Sequence, residues 1–174
     1  MSEIVIAPFS NGDIRDWQPR HFSELTGLLL HRWPGDIHLI GTRSQATRVA
    51  DIVRPHDATR VHSQCGRPWS EVAQLVRNAA CVIGNNSGIT HLSSWFGVPT
   101  VCVFSGSHRR EEWHPMAPNA VIISRAIGCA PCHLHRAAQC PYGKACLDEI
   151  DAGLVAEAVF AAMEQPGKEV MHGA

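Results

Sequence analysis

Short apolar runs without polar alternation are interleaved, along this chain, with stretches in which apolar residues return every three or four positions. The clearest case spans Cys81 to Phe104. Cys81-Val82-Ile83 is uninterrupted, as expected of a strand buried on both faces. Gly84-Asn85-Asn86-Ser87-Gly88 is a turn cluster whose residues tolerate left-handed backbone and cap helices. Ile89, Leu92, Trp95 and Phe96 then recur at helical spacing, Gly97 stops the helix, Pro99 follows, and Val101–Phe104 is the next apolar run. Strand, turn, helix and strand form a βαβ unit, which requires parallel strands.

The rest of the chain repeats this alternation. Ile4–Ala7 is the first predicted strand, and Pro8–Pro19 a polar loop. Pro19 suits the first turn of a helix running to about Arg32, with Phe22, Leu25, Leu28 and Leu29 on its inner face. After the turn Pro34-Gly35-Asp36, Ile37–Ile40 is the second strand, and Gly41–Gln45 leads into a helix ending near Arg54. A weak strand is predicted over Thr59–His62, a loop over Gly66–Trp69, and a helix capped by Ser70 through Val72, Leu75 and Val76. Beyond Phe104 come a charged loop to Asn119, a last strand at Ala120–Ile123, a cysteine-containing segment over 128–147 and a closing helix over Ile150–Glu164. Residues 1–165 are read as one domain and 166–174 as a disordered tail. The expected fold class is α/β, a Rossmann-like doubly wound parallel sheet carrying a small four-cysteine metal finger. Ligands of such folds sit at the carboxyl ends of the strands, so the walls of the site fall in the loops Ser10–Arg15, Thr42–Gln45, Gly66-Arg67 and Asn85–Gly88.

Composition narrows the function classes. A length of 174 residues accommodates one α/β domain with a proper core. A net charge of −1 does not favour nucleic acid as a partner. There is no apolar run of transmembrane length and no signal-peptide pattern, which leads to the expectation of a cytoplasmic protein. Seven cysteines without an export signal point to reduced thiols or a metal site. Neither a P-loop lysine nor a Gly-x-Ser-x-Gly elbow is present, and Arg109-Arg110 is followed at once by Glu111-Glu112, a solvated loop rather than a basic patch.

The polar turn before Ile89 is a candidate anion site, because free backbone N–H groups and the positive end of the helix dipole meet there. Asn86 or Ser87 caps that helix, and His91 lies one turn along on the face of Ser87. The plainer reading, a helix cap and an unremarkable histidine, stands equally open on chemistry alone.

These residues resemble a known family. Gly84-Asn85-Asn86-Ser87-Gly88-Ile89-Thr90-His91-Leu92 with Phe96-Gly97-Val98-Pro99-Thr100 is similar to the signature of glycosyltransferase family nine, the heptosyltransferases of the lipopolysaccharide core and their relatives. Arg15–Phe22 resembles the family's Lys-x-Trp-Pro-x-x-His-Phe segment, and Cys65-Gly66-Arg67 before Ser70 its Gly-Lys-Thr-Ser loop. The resemblance covers roughly residues 3–163 and implies the C-terminal, donor-binding half of a two-domain GT-B enzyme. With a methionine just before the first strand, an acceptor-binding half is expected in another chain or in a homo-oligomer. The resemblance further implies a nucleotide-sugar donor, ADP-heptose, and a place at the inner face of the inner membrane. It makes Asn86, Ser87 and Gly88 a diphosphate cradle supported by His91, and Arg15 the cation that stabilises the leaving diphosphate. Ser10 and Asn11 become polar donor contacts, Gln45 lies near the ribose, and the backbone around Arg67 near the base. The family's pattern has Asp at Asn86, Thr at Ser87, Lys at Arg15 and Glu at Gln45. Two carboxylates have thus become amides, consistent with a different donor, weaker binding or lost activity.

A second constellation is Cys129-Ala-Pro-Cys132, then Cys140 and Cys146. This spacing, with turns at Gly128, Pro131, Pro141 and Gly143, suits four thiolates around zinc or iron. Some relatives, heptosyltransferases acting on autotransporter proteins, bind iron through a similar finger. Four free or disulfide-bonded cysteines are the alternative, and His133 or His135 a substitute ligand. Cys81 and Cys102 read as core. Two functions follow: a glycosyltransferase completed by a separate acceptor half, or a non-catalytic binding module built on the same fold.

Overall fold

The computed structural model describes residues 3–164; the predicted tail from Pro166 lies outside the described residues. Six parallel strands, β1 (Ile4–Ala7), β2 (Ile37–Leu39), β3 (Val61–Ser63), β4 (Cys81–Asn85), β5 (Thr100–Phe104) and β6 (Ala120–Ser124), form one sheet in the order β3-β2-β1-β4-β5-β6. This is the doubly wound arrangement, with its switch point between β1 and β4. The helices are α1 (Pro19–Arg32), α2 (Ala46–Val53), α3 (Trp69–Asn78), α4 (Gly88–Trp95), α5 (Arg110–Trp113), α6 (Ala145–Asp148) and α7 (Ala152–Glu164).

Each strand's apolar run is divided between two cores because neighbouring residues point to opposite faces. Ile4, Ile6, Ile37, Leu39, Cys81, Ile83, Val101 and Val103 pack against α1, α2 and α7. Val5, Ala7 and Val82 pack against Val72 and Val76 of α3, the partly buried Ile89 and Leu92 of α4, and Phe96 just after it. Cys81 and Cys102 are fully buried, and burial pushes both thiols up to about 12, so they are inert core residues. No helix among the described residues is long and apolar enough to cross a membrane.

Several local expectations need correction. Leu28 and Trp95 are exposed, Trp95 at 85 %. Each lies six positions beyond the residue that opens its helix's apolar stripe, Phe22 or Ile89, which turns it about 120° away at 3.6 residues per turn. Pro68, with φ −54, immediately precedes α3, so Trp69 opens that helix and Ser70 is inside it rather than its cap. β3 begins two residues later than expected and ends one later, because Asp57 organises the preceding turn through bonds from Thr59 and Arg60. Arg110–Trp113 forms a short helix within the expected loop, where Arg110 donates to Ser124 Oγ at 3.1 Å.

Gly84 is required where β1 and β4 meet. A Cβ there would lie 2.8 Å from the Ala7 carbonyl oxygen and 3.2 Å from the Ala7 Cβ. Gly84→Ala is expected to lower the unfolding free energy by roughly 1–3 kcal/mol through overpacking, read as an earlier urea midpoint. An unchanged midpoint would contradict this close approach.

Candidate functional site

A cavity of about 610 Å³ opens at the carboxyl ends of β1, β2 and β4. The loop after β1 contributes Ser10, Asn11 and Arg15, the loop after β2 contributes Thr42, Arg43 and Gln45, and the loop after β3 contributes Gly66, Arg67 and Trp69. Ser87, Gly88 and Ile89 close it at the start of α4. Seven of the nine expected donor-site residues therefore share one cavity wall: Ser10, Asn11, Arg15, Gln45, Arg67, Ser87 and Gly88. Asn86 and His91 are not in the lining. Asn86 is 5 % exposed, and its Oδ1 lies 3.1 Å from His91 Nε2. Burial lowers the His91 pKa, which favours the neutral ring beside that amide.

The charge of the lining is one-sided, with three arginines and no carboxylate. Arg67 is engaged: its Nη1 donates to Glu71 at 2.7 Å and its Nε to Gln64. The side chains of Arg15 and Arg43 make no hydrogen bond or ion pair among the described residues. Thr90 Oγ1 accepts the Ser87 N–H at 3.3 Å, but the Ser87 side chain caps no N–H of the first turn of α4, and its Oγ is buried without a hydrogen-bond partner. Two free guanidinium groups and open backbone N–H donors therefore face the same space, an arrangement suited to a polyanion. Gln45 is turned partly inward, because its Oε1 accepts the Thr42 N–H at 2.9 Å. Its remaining amide donors suit acceptors on a ligand.

The loop carrying Arg15 is held from below. Asn85 is fully buried; its Oδ1 accepts the Trp17 N–H at 2.9 Å and its Nδ2 donates to the Pro8 carbonyl at 2.7 Å. Asp16 Oδ1 accepts both the N–H and the Oγ–H of Ser10 at 2.7 Å, while its Oδ2 lies 3.5 Å from Arg48, whose guanidinium covers the Phe9 ring at 3.7 Å. Neither Asn85 nor Asp16 was expected to shape this loop. The only sequence signal is that each is a polar residue beside a turn, and turns are full of those.

The cysteine segment packs on the same loop. Cys129, Cys132, Cys140 and Cys146 line one cavity of about 10 Å³. All four are free cysteines, so none forms a disulfide. Burial raises the Cys146 thiol, and the other three thiols push in the same direction. Backbone N–H groups approach two of the sulfurs at 3.4 Å, Gly106 to Cys146 and Lys144 to Cys140. Among the described residues no group of three or more His, Cys, Asp or Glu side chains has metal-holding geometry. The segment reaches the Arg15 loop through Lys144, whose Nζ donates to the Asp16 carbonyl at 2.6 Å, and through the Ala137 N–H, which donates to Asp13 Oδ1 at 2.8 Å. Burial, with Arg15, His133 and His135 nearby, lowers the His108 pKa.

The family model for glycosyltransferase family 9 (heptosyltransferase) matches residues 2–145. The chain belongs to this family. Among solved structures, an E. coli ADP-heptose lps heptosyltransferase II is similar at 18 % identity with a TM-score of 0.79, over 94 % of this chain and 47 % of that one. A family 9 glycosyl transferase from Veillonella parvula gives 16 % identity and a TM-score of 0.78, over 94 % and 46 %. The iron-containing dodecameric glycosyltransferase TibC from enterotoxigenic E. coli gives 19 % and 0.71, over 94 % and 47 %. At these identities the likeness is one of fold. The chain spans about half the length of each of these relatives. No curated protein sequence matches it.

The Asp16 carboxyl generates a prediction. Burial raises its pKa above the ordinary 3.8, against the opposing pull of Ser10 and Arg48. The native state therefore holds this proton more tightly than the unfolded chain. The associated stability is complete below pH 3.8 and declines as pH rises through the raised native value. Denaturant unfolding of Asp16→Asn across that window should show a smaller decline than the wild type, and parallel profiles would contradict the assignment.

Proposed function

We propose that this chain is the nucleotide-sugar-binding half of a family 9 glycosyltransferase. The observation that carries the reading is the cavity itself, with three arginines, no carboxylate and the N-terminus of α4 at the carboxyl edge of the sheet. A nucleoside diphosphate sugar fits that chemistry: its diphosphate meets Arg15, Ser87 and Gly88, with Ser10 and Asn11 alongside. The sugar hydroxyls or ribose meet Gln45. Asn86 and His91 act from behind, their mutual contact fixing the turn that presents Ser87.

As the sugar leaves, negative charge grows on the departing diphosphate. A guanidinium and fixed N–H donors stabilise it without reorganising at the moment of reaction. Arg15 is the residue assigned to this role. Because the cavity has no carboxylate, the general base that activates the acceptor comes from elsewhere, from an acceptor-binding half in another chain or a second copy. The donor favoured is ADP-heptose, since relatives of this fold are described as ADP-heptose lps heptosyltransferase II and as heptosyltransferase WaaC with ADP. The acceptor would be lipopolysaccharide or protein, met in the cytoplasm at the inner face of the inner membrane. The amides at Gln45 and Asn86, together with that missing base, favour a second reading, a nucleotide-binding module without transferase activity.

Cys129, Cys132, Cys140 and Cys146 are assigned as ligands of one structural metal ion, zinc or iron. Their convergence on one cavity and the N–H groups directed at two sulfurs support a thiolate donor set. The ion would cross-link the segment that braces the Arg15 loop. TibC, an iron-containing relative, lends weight to iron.

Calorimetric titration with ADP, GDP and UDP tests the donor reading. ADP should bind, and Arg15→Ala should weaken it by roughly tenfold or more, the loss of one charge-assisted contact. No nucleotide binding would overturn the reading. Elemental analysis of the purified chain should give one metal ion per chain, lost in Cys129→Ser/Cys132→Ser. A metal-free, fully folded protein would overturn the finger.

A further inference from the structure

Trp69 carries an inference that rests on the donor reading and extends it. It opens α3 and lines the cavity, yet it is 63 % exposed, and among the described residues its ring stacks on no aromatic group and receives no cation. Phe9, the other aromatic residue in the lining, is buried and already covered by Arg48. Large aromatic side chains left this bare at a cavity wall offer a π face to a ligand.

The place of Trp69 in the fold decides which part of a ligand it meets. β4, β1, β2 and β3 lie side by side in that order. The groups at their carboxyl ends follow the same order: the start of α4 and Arg15, then Arg43 and Gln45, then Trp69. At about 4.8 Å per strand, the path from β4 to β3 is roughly 14 Å, the scale of an extended nucleoside diphosphate. A diphosphate held at the cationic end directs the ribose over β2 and the base towards Trp69. Arg67 lies beside it, but its guanidinium is occupied by Gln64 and Glu71.

We propose that the indole of Trp69 is the stacking platform for the nucleobase of the bound nucleoside diphosphate. It reads the face of the base and supplies binding energy, while the diphosphate is held independently at the opposite end.

The test compares ADP and inorganic pyrophosphate on wild type, Trp69→Phe and Trp69→Ala, by calorimetry and indole fluorescence. ADP affinity should fall about tenfold or more in Trp69→Ala, in line with base–aromatic stacking, and be largely kept in Trp69→Phe. Pyrophosphate affinity should be the same in all three. ADP should quench wild-type fluorescence, and that quenching should be lost in Trp69→Phe. Equal ADP affinity in wild type and Trp69→Ala overturns this inference alone and leaves the donor reading standing. Failure of wild type to bind either ligand overturns both. Circular dichroism and thermal melting of the variants show whether they are folded; the exposure of Trp69 predicts that they are.

Discussion

One buried amide holds the working edge of this domain together. Asn85, the last residue of β4, has no exposure to solvent, yet it satisfies a donor at Trp17 and an acceptor at Pro8. Those two partners are the ends of the loop that follows β1, so the amide ties that loop across the switch point of the sheet. A buried polar group left without its partner costs about 1–3 kcal/mol, and two such groups depend on this one side chain. Gly84, one residue earlier, lets β1 and β4 come close enough for the bond to form. Arg15 projects from the loop so fixed, and the cavity's charge follows from where that loop lies.

A second set of bonds reaches the same loop from the far end of the chain. Lys144 and Ala137 bind the Asp16 and Asp13 region, Trp17 Nε1 donates to the Ile150 carbonyl at 3.2 Å, and Gln18 reaches Asp148. The cysteine segment is thus a brace for the loop as well as a thiol cluster. Stability of the segment and placement of Arg15 are linked through carbonyl contacts rather than through direct contact with a ligand. This gives a structural role to a region that lies outside the main cavity.

Much of this was readable in the chain because the governing physics is local. Uninterrupted apolar runs such as Ile4–Ala7 and Val101–Phe104 are what a sheet covered on both faces demands, and Pro19 marks the start of α1 because its fixed φ suits that position. The loops that line the cavity follow from parallel topology, and Ser10, Asn11, Arg15, Gln45, Arg67, Ser87 and Gly88 all fall on them. What was not readable depends on which side chains meet. Arg43 and Arg67 look alike in sequence, but only Arg67 has Gln64 and Glu71 within reach, so of these two Arg43 is the one without a partner among the described residues. Trp69 reads as a loop residue until Pro68 is seen to start α3 immediately after itself. Asp16 is one more acidic residue in a polar loop until burial and Ser10 give it a function.

The central claim is that the cavity receives a nucleoside diphosphate, oriented by charge. A crystal structure of the chain with ADP tests it most directly. The account predicts the diphosphate at the N-terminus of α4 within hydrogen-bond distance of Arg15 and the backbone of Ser87 and Gly88. ADP bound elsewhere on the molecule, or in this cavity with its diphosphate away from Arg15, would contradict it.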